Sequence, residues 1–315
     1  MRVAQLLLVL MAAVFGGTWV AAPWATDEIP PLTVAFIRFA IAAILLFGWC
    51  RARAISIAAT RADLPVILGV ALTSIAGYNV LFLYGVTLAP ATHGAVLVPG
   101  LIPGATLLIA RLALGERASR RRIGGVLLSV AGLALVVGPS LQGESGAVAL
   151  GDLMFAASAF LWSIYTLVGR VATQRFHVAA ITFLGAAAGA LVLLPLALLQ
   201  PGGFGYVLGA SPRALGSVIY LATFGTVLAF VFFYEGVRRL GAARASAYTV
   251  LIPLFGLSLT VTLLGEPLSP ISLVGAAIVL GGLWLTQRPD VPASDGRLGP
   301  ITEREPPGEG GVRRG

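Results

Sequence analysis

One block of this chain is written twice, 150 residues apart. Leu101-Ile102-Pro103, Leu107, Leu114-Gly115-Glu116, Ser119, Gly125 and Gly132-Leu133 return as Leu251-Ile252-Pro253, Leu257, Leu264-Gly265-Glu266, Ser269, Gly275 and Gly282-Leu283. Between 95–135 and 245–285 about a third of the positions are identical, where chance in a chain so rich in Leu, Ala and Gly gives roughly a tenth. An internal duplication follows, so the second half must repeat the fold of the first. The hydropathy pattern says what that fold is. Apolar stretches near 3–24, 31–50, 64–86, 91–114, 122–139, 152–169, 178–199, 214–236, 243–264 and 270–287 approach the ~20 residues that a membrane-spanning helix needs. Only 11% of the residues are charged, against about 25% in a soluble domain, too few to face water all round. The expectation is an all-α integral membrane protein with ten transmembrane helices, five in each copy.

The basic residues set the orientation. All 21 are Arg, and they gather in connections 2–3 (Arg51, Arg53, Arg61), 4–5 (Arg117, Arg120, Arg121, Arg122), 6–7 (Arg170, Arg175) and 8–9 (Arg238, Arg239, Arg244). The other five connections hold Arg213 alone, with Asp27, Glu28, Glu144 and Glu266. By the positive-inside rule both termini are expected in the cytoplasm. The net charge of +8 is therefore read as a topology signal and not as a nucleic-acid footprint. Arg2 followed by an apolar run has the look of a signal peptide, but the run to about Trp24 is long enough to span, so it is taken as the first helix. Because five crossings is an odd number, the second copy enters from the opposite side. Two inverted five-helix repeats are expected, 1–139 and 140–287, the arrangement that many secondary transporters use for alternating access. Residues 288–315 turn to Pro, Gly and charge, and are expected to form a disordered cytoplasmic tail.

These residues also carry a family resemblance. Phe36-Ile37-Arg38-Phe39 in the second helix, Leu101–Pro103, Leu114-Gly115-Glu116 before a basic loop, Gly125 and Gly132, and the copies of these motifs resemble the EamA-type branch of the drug/metabolite transporter superfamily. The likeness covers about 3–287 and departs from the usual pattern at Arg111, where an apolar residue or Trp is the rule. It implies a multi-pass carrier of small organic metabolites in a bacterial cytoplasmic (inner) membrane. Such carriers are often exporters, with a central cavity between the halves. The resemblance does not name the substrate.

Several residues are candidates for the substrate path. Pro103 and Pro253 lie mid-helix in equivalent places, where each removes a backbone donor and frees a carbonyl. Arg38, about seven residues into the second helix, must face protein or water. It can grip a carboxylate or anchor the helix by snorkelling. Asn79, flanked by Tyr78, suits an amino or carboxyl group, or a hydrogen bond between helices. Trp19, Trp162, Tyr165, Tyr234 and Tyr248 can line a pocket for an amphipathic ligand or sit in interfacial belts. Glu235, three residues before Arg238, is read as half of an interfacial ion pair. Glu116 and Glu266 are read as capping or pairing groups at helix ends, and His93 as a solvated residue at the outer mouth.

No catalytic set, metal-ligand spacing or phosphate-cradling loop is present in the sequence, and no cofactor is expected. The lone Cys50 allows no intrachain disulfide. The leading expectation is a secondary transporter, an exporter, of small metabolites such as amino acids. It would work with a small-molecule substrate and the lipid bilayer, without nucleic acid. Proton or ion coupling and oligomeric state stay open, and a monomer is compatible with the pattern. A non-transporting helical scaffold, or an intramembrane enzyme acting on lipid-linked groups, are the alternatives.

Overall fold

The computed structural model describes residues 2–115, 119–143, 146–240, 245 and 248–287. For Leu114, Pro139, Ser140, Leu141, Gln142, Gly143, Tyr234, Val237 and Arg238 it describes the backbone course alone. The tail expected beyond residue 287 and Glu116 lie outside the described residues.

The helices are α1 (Arg2–Thr26), α2 (Pro31–Ala52), α3 (Arg61–Leu88), α4 (Ala91–Leu114), α5 (Arg120–Gly143), α6 (Gly146–Ala172) and α7 (Val178–Leu199). They are followed by α8 (Pro212–Ala222, Thr223–Leu228 and Ala229–Leu240), α9 (Tyr248–Leu264) and α10 (Pro270–Gln287). Among the described residues, nine of the ten are long and apolar enough to cross a bilayer, and α9 is a shorter apolar helix. Large side chains such as Leu112 (77% exposed), Leu191 (72%) and Leu199 (82%) face outward, as lipid contact requires. α6 begins about a turn and a half earlier than its apolar run suggested, because Gly146–Leu150 extends the helix without adding to the spanning core.

Local chemistry explains the helix ends. Pro31 and Pro212 occupy the first helical turn, where their missing N–H costs nothing. The Ser211 hydroxyl accepts from the Ala214 N–H at 3.2 Å and caps α8. The doubled Leu-Gly-Glu closes helices: Gly115 (φ +67°) and Gly265 (φ +69°) hold the left-handed conformation that ends α4 and α9.

Packing follows a two-fold pattern between the copies. The helices pair most extensively as α5 with α10, α1 with α8 and α3 with α6, followed by α2 with α7, α1 with α9 and α4 with α6. Adding 150 to one partner of α4–α6 and subtracting it from the other gives α9–α1. The pairs α5–α10 and α2–α7 map onto themselves and bound the bundle at its two ends. The doubled glycines are the reason α5 and α10 can meet. A Cβ on Gly132 would lie 2.6 Å from the Gly275 carbonyl oxygen, and one on Gly275 the same distance from that of Gly132. A Cβ on Gly125 would lie 2.8 Å from the Gly282 oxygen, and the reverse approach is 2.6 Å. Backbone meets backbone at both crossings, which is how membrane helices gain dispersion contact without a hydrophobic driving force.

The loop carboxylates of the face opposite the termini act as inter-repeat clasps. Glu266 accepts from the N–H groups of Ala91 (2.8 Å) and Thr92 (2.7 Å), capping α4 as a carboxylate at a helix N-terminus should. Glu28 accepts from the Ser211 amide and hydroxyl, both at 2.6 Å. At the other face, the expected pairing of Glu235 is seen with Arg239 at 2.5 Å, one helical turn on.

Two outcomes are expected. Gly132→Ala forces α5 and α10 apart and lowers stability by about 1–3 kcal/mol in thermal unfolding, whereas Gly124→Ala, with open space at that position, shifts it by less than about 0.5 kcal/mol. The Ser211 donors hold the Glu28 carboxyl below its ordinary value. With the folded value below the unfolded one, its contribution is present above the ordinary carboxylate range and is lost as pH falls through the folded value. Melting curves of Glu28→Gln should therefore lose part of the acid-side drop in Tm.

Candidate functional site

The site is organised by two irregularities in equivalent helices. α3 widens to π geometry over Ala71–Tyr78, and α8 does so over Thr223–Leu228. Shifted by 150 residues, the first segment covers 221–228, so the irregularity is part of the duplicated plan. A π turn loosens the i→i−4 ladder and leaves carbonyls to be satisfied by other donors. The Asn79 Nδ2 donates to the Ser74 carbonyl at 2.7 Å, and the Thr226 hydroxyl donates to the Leu221 carbonyl at 2.8 Å, both five residues back.

Arg38 spans the gap between these segments. Its Nη1 donates to Asn79 Oδ1 at 2.9 Å, and its Nε donates to the Thr226 hydroxyl at 3.1 Å. Arg38 is 7% exposed, Asn79 3% and Thr226 3%, so the whole cluster is withdrawn from lipid and from bulk water. The guanidinium also lies 5.1 Å from the centroid of the Phe39 ring. At about 10 Å from the start of α2, the charge meets only neutral partners among the described residues. These two partners take two of the five N–H donors of a guanidinium. Nη2 lies toward Gly225, 3.9 Å from the place a Cβ would take there.

A chain of rings runs away from Arg38. Trp19 packs edge-on against Phe82 (4.9 Å), Phe82 stacks on Tyr78 (5.9 Å), Tyr78 meets Trp162 (5.0 Å), and Trp162 meets Tyr165 (5.3 Å). The ladder passes from α1 through α3 to α6. Trp19, Arg38, Tyr78, Asn79, Trp162 and Tyr165 are thus brought into one region. Trp19 itself is 3% exposed and wedged against Phe155 as well, so it is packed core in this conformer. Trp162 and Tyr165 are only partly buried and form the open end of the ladder.

The other candidates lie elsewhere. Pro253 is buried in α9, and Pro103 is partly buried in α4. Beside Pro103, the Ser163 hydroxyl of α6 donates to the Ile102 carbonyl at 3.2 Å, so this proline-containing segment of α4 is tied to α6. Tyr248 packs against Leu8, Met11, Ala229 and Ala245, a separate cluster nearer the termini. The side chain of Tyr234 lies outside the described residues. His93 does not lie open to solvent. Its Nδ1 faces both Asp152 oxygens, at 3.0 and 3.2 Å, with side-chain exposures of 13% and 7%. Thr226 and Asp152 are the residues that sequence reasoning passed over. Asp152 had a signal, a lone acid inside an apolar helix; Thr226 had none beyond its place in the duplicated segment.

Comparison with known proteins follows the same division into halves. The EamA-like transporter family model matches residues 2–138 and again 149–288. The chain belongs to the EamA-like transporter family. An uncharacterized transporter of Archaeoglobus fulgidus is 27% identical over 286 residues, covering 90% of this chain and 96% of that protein. A probable terminal-alkyne amino-acid exporter of Streptantibioticus cattleyicolor is 29% identical over 257 residues, 82% of each chain. A probable amino-acid metabolite efflux pump of Escherichia coli is 23% identical over 286 residues, 89% of this chain and 93% of that one. A solved crystal structure superposes on the EamA fold seen here with a TM-score of 0.63 at 20% identity, covering 90% of this chain and 96% of the other.

The Arg38 cluster makes a stability prediction. Asn79→Leu leaves a buried guanidinium N–H without its acceptor and costs about 1.5–3 kcal/mol. Arg38→Met removes the charge together with its need for partners, so its effect on unfolding should be smaller than that of Asn79→Leu. Thermal or denaturant unfolding of the purified protein in detergent checks the order.

Proposed function

We propose that this EamA-family protein is a secondary exporter of small carboxylate-bearing metabolites, amino acids or close derivatives. It works by alternating access between its two inverted repeats, with both termini in the cytoplasm. The observation that carries the proposal is Arg38: a buried guanidinium, held by neutral partners alone among the described residues, with donor capacity to spare and an aromatic ladder beside it. A planar fork of N–H donors is suited to gripping a carboxylate, and removal from water makes that grip strong. Partly buried Trp162 and Tyr165 offer apolar faces for the rest of an amphipathic molecule. The printed names of the Streptantibioticus and Escherichia relatives point to the same substrate class.

The mechanism follows from where Arg38 bonds. Asn79 belongs to the first repeat and Thr226 to the second, so the guanidinium bridges the halves that must move. A substrate carboxylate competes with these neutral acceptors for the same N–H groups. Binding therefore weakens a bridge between α3 and α8 at the moment the cavity is occupied. The π segments absorb the change, because a wide turn can shift its hydrogen bonds by one residue at small cost. Proton or ion coupling and a monomeric state are further parts of the proposal.

Reconstituted protein should show saturable counterflow with some member of an amino-acid and carboxylate panel. Arg38→Met should fold and abolish that counterflow, while Trp162→Ala lowers apparent affinity by about tenfold for aromatic members, the equivalent of about 1.4 kcal/mol. Saturable flux that survives Arg38→Met at the wild-type KM overturns the assignment.

A further inference from the structure

Among the described residues, several polar bonds join the repeats at the face opposite the termini, while the terminal face shows Arg175 with Asp63. Glu28 holds Ser211, Gln200 holds the Leu32 amide (3.0 Å) and the Tyr84 hydroxyl (3.0 Å), and Glu266 holds the start of α4. His93 on α4 faces Asp152 on α6. The acceptors and donors that meet Glu28, Gln200 and Glu266 are neutral and keep their protons across ordinary pH. Among these contacts of the described residues, His93–Asp152 is the one that joins an imidazole to a carboxylate.

The pair lies on the seam. α4 belongs to the first repeat and α6 to the second, and each residue is within the first two turns of its helix at that face. Its surroundings are apolar and close. A Cβ on Gly94 would meet Trp19 and Phe155, and one on Gly151 would meet Ala89 and the Gly85 carbonyl. Other ionisable groups near this end are few. On α3 there is Tyr84, bonded to Gln200. On the α9–α10 connection there is Glu266, bonded to backbone amides. Beyond the end of α1 lie Asp27 and Glu28, the latter held by Ser211, with Arg213 of α8 close by over the Trp24 ring. α10 carries no charged residue between Pro270 and Gln287, and α5 none between Ile123 and Gly143. Arg111 on α4 and Arg170 on α6 lie toward the opposite ends of their helices. Glu144, in the α5–α6 connection, is outside the described residues.

Inverted symmetry makes the pair informative. Its equivalents in the duplicated sequence are Ala243 and Arg2, a methyl and a guanidinium in place of an imidazole and a carboxylate. The two gates of an inverted repeat should be alike, and among the described residues one carries an imidazole–carboxylate pair and the other does not.

We propose that His93 and Asp152 form a proton-binding latch on the gate at the face opposite the termini. With the imidazole protonated, the pair is an ion pair in apolar surroundings, and opening the gate must separate opposite charges. With the imidazole neutral, opening breaks one hydrogen bond and exposes a carboxylate that water solvates readily. The gate therefore opens more readily once rising pH takes the proton from the imidazole. The inference rests on the alternating-access reading, but its test needs no substrate.

The test is a distance measurement across the gate. Spin labels on Thr87→Cys and Ala147→Cys, both exposed, in a Cys50→Ala background, report separation of the repeats in reconstituted protein. Between about pH 6 and pH 8 the open-to-closed ratio should rise about threefold or more, and the shift should vanish in both His93→Gln and Asp152→Asn. A ratio that does not change with pH in otherwise unaltered protein overturns the latch, as does a shift that persists in either variant. Failure of counterflow with a pH-dependent ratio would count against the transport reading and leave the latch standing.

Discussion

A single cation withdrawn from water sets the terms for the centre of this molecule. Arg38 cannot face lipid, because a guanidinium at that depth costs about 2.5–3.5 kcal/mol even on the mildest insertion scales. It must therefore be surrounded by acceptors, and in this bundle they come from both repeats. Asn79 directly follows one π-helical segment and Thr226 lies within the other, and each donates to a carbonyl five residues back, Ser74 and Leu221. The irregular backbone and the buried charge satisfy one another. A regular α3 and α8 would close their own ladders and leave these two side chains free to point elsewhere. The irregular segments lie at protein-facing depth, the condition under which a membrane interior tolerates them.

Around that centre the duplication acts as a building rule. Identical letters end up in equivalent places, and where they lie near the two-fold axis they meet. Gly132 meets Gly275 and Gly125 meets Gly282, so α5 and α10 approach to backbone contact. Away from the axis the same letters are free to diverge. Arg38 has Ala188 as its counterpart, and Asn79 has Ala229. A carrier built from two identical halves would have two equal gates and a symmetric site. The divergences at Arg38, Asn79, His93 and Asp152 make the two halves unequal: among the described residues, the buried guanidinium cluster and the imidazole–carboxylate pair have no counterpart in the other copy.

Some of the site could be read from letters and some could not. Arg38, Tyr78, Asn79, Trp162 and Tyr165 stand out as polar or amphipathic groups in apolar runs, and the fold does gather them. Trp19 stood out equally, but its indole fills a slot between Phe82 and Phe155, because a large ring next to Gly94 and Gly256 is worth more as packing than as lining. Tyr248 has the right chemistry on another cluster. His93 looked like a mouth residue because sequence gives its depth along α4 but not the neighbour that covers it; Asp152, 59 positions away, does.

The chain alone determined its element count, its inverted plan and its orientation signal. These depend on quantities that sum along a segment: apolar length, Arg placement, an odd number of crossings and a repeated text. Only the tertiary structure decided which side chains meet across the repeats. Whether Arg38 reaches Asn79 and Thr226, whether Glu266 caps α4, and whether His93 finds Asp152 depend on ångström-scale rotations of helices about their axes. Lipid-facing and protein-facing surfaces are both apolar here, so periodicity marks helices without fixing those rotations. Close backbone contact at the doubled glycines and the need to satisfy buried polar groups fix them instead.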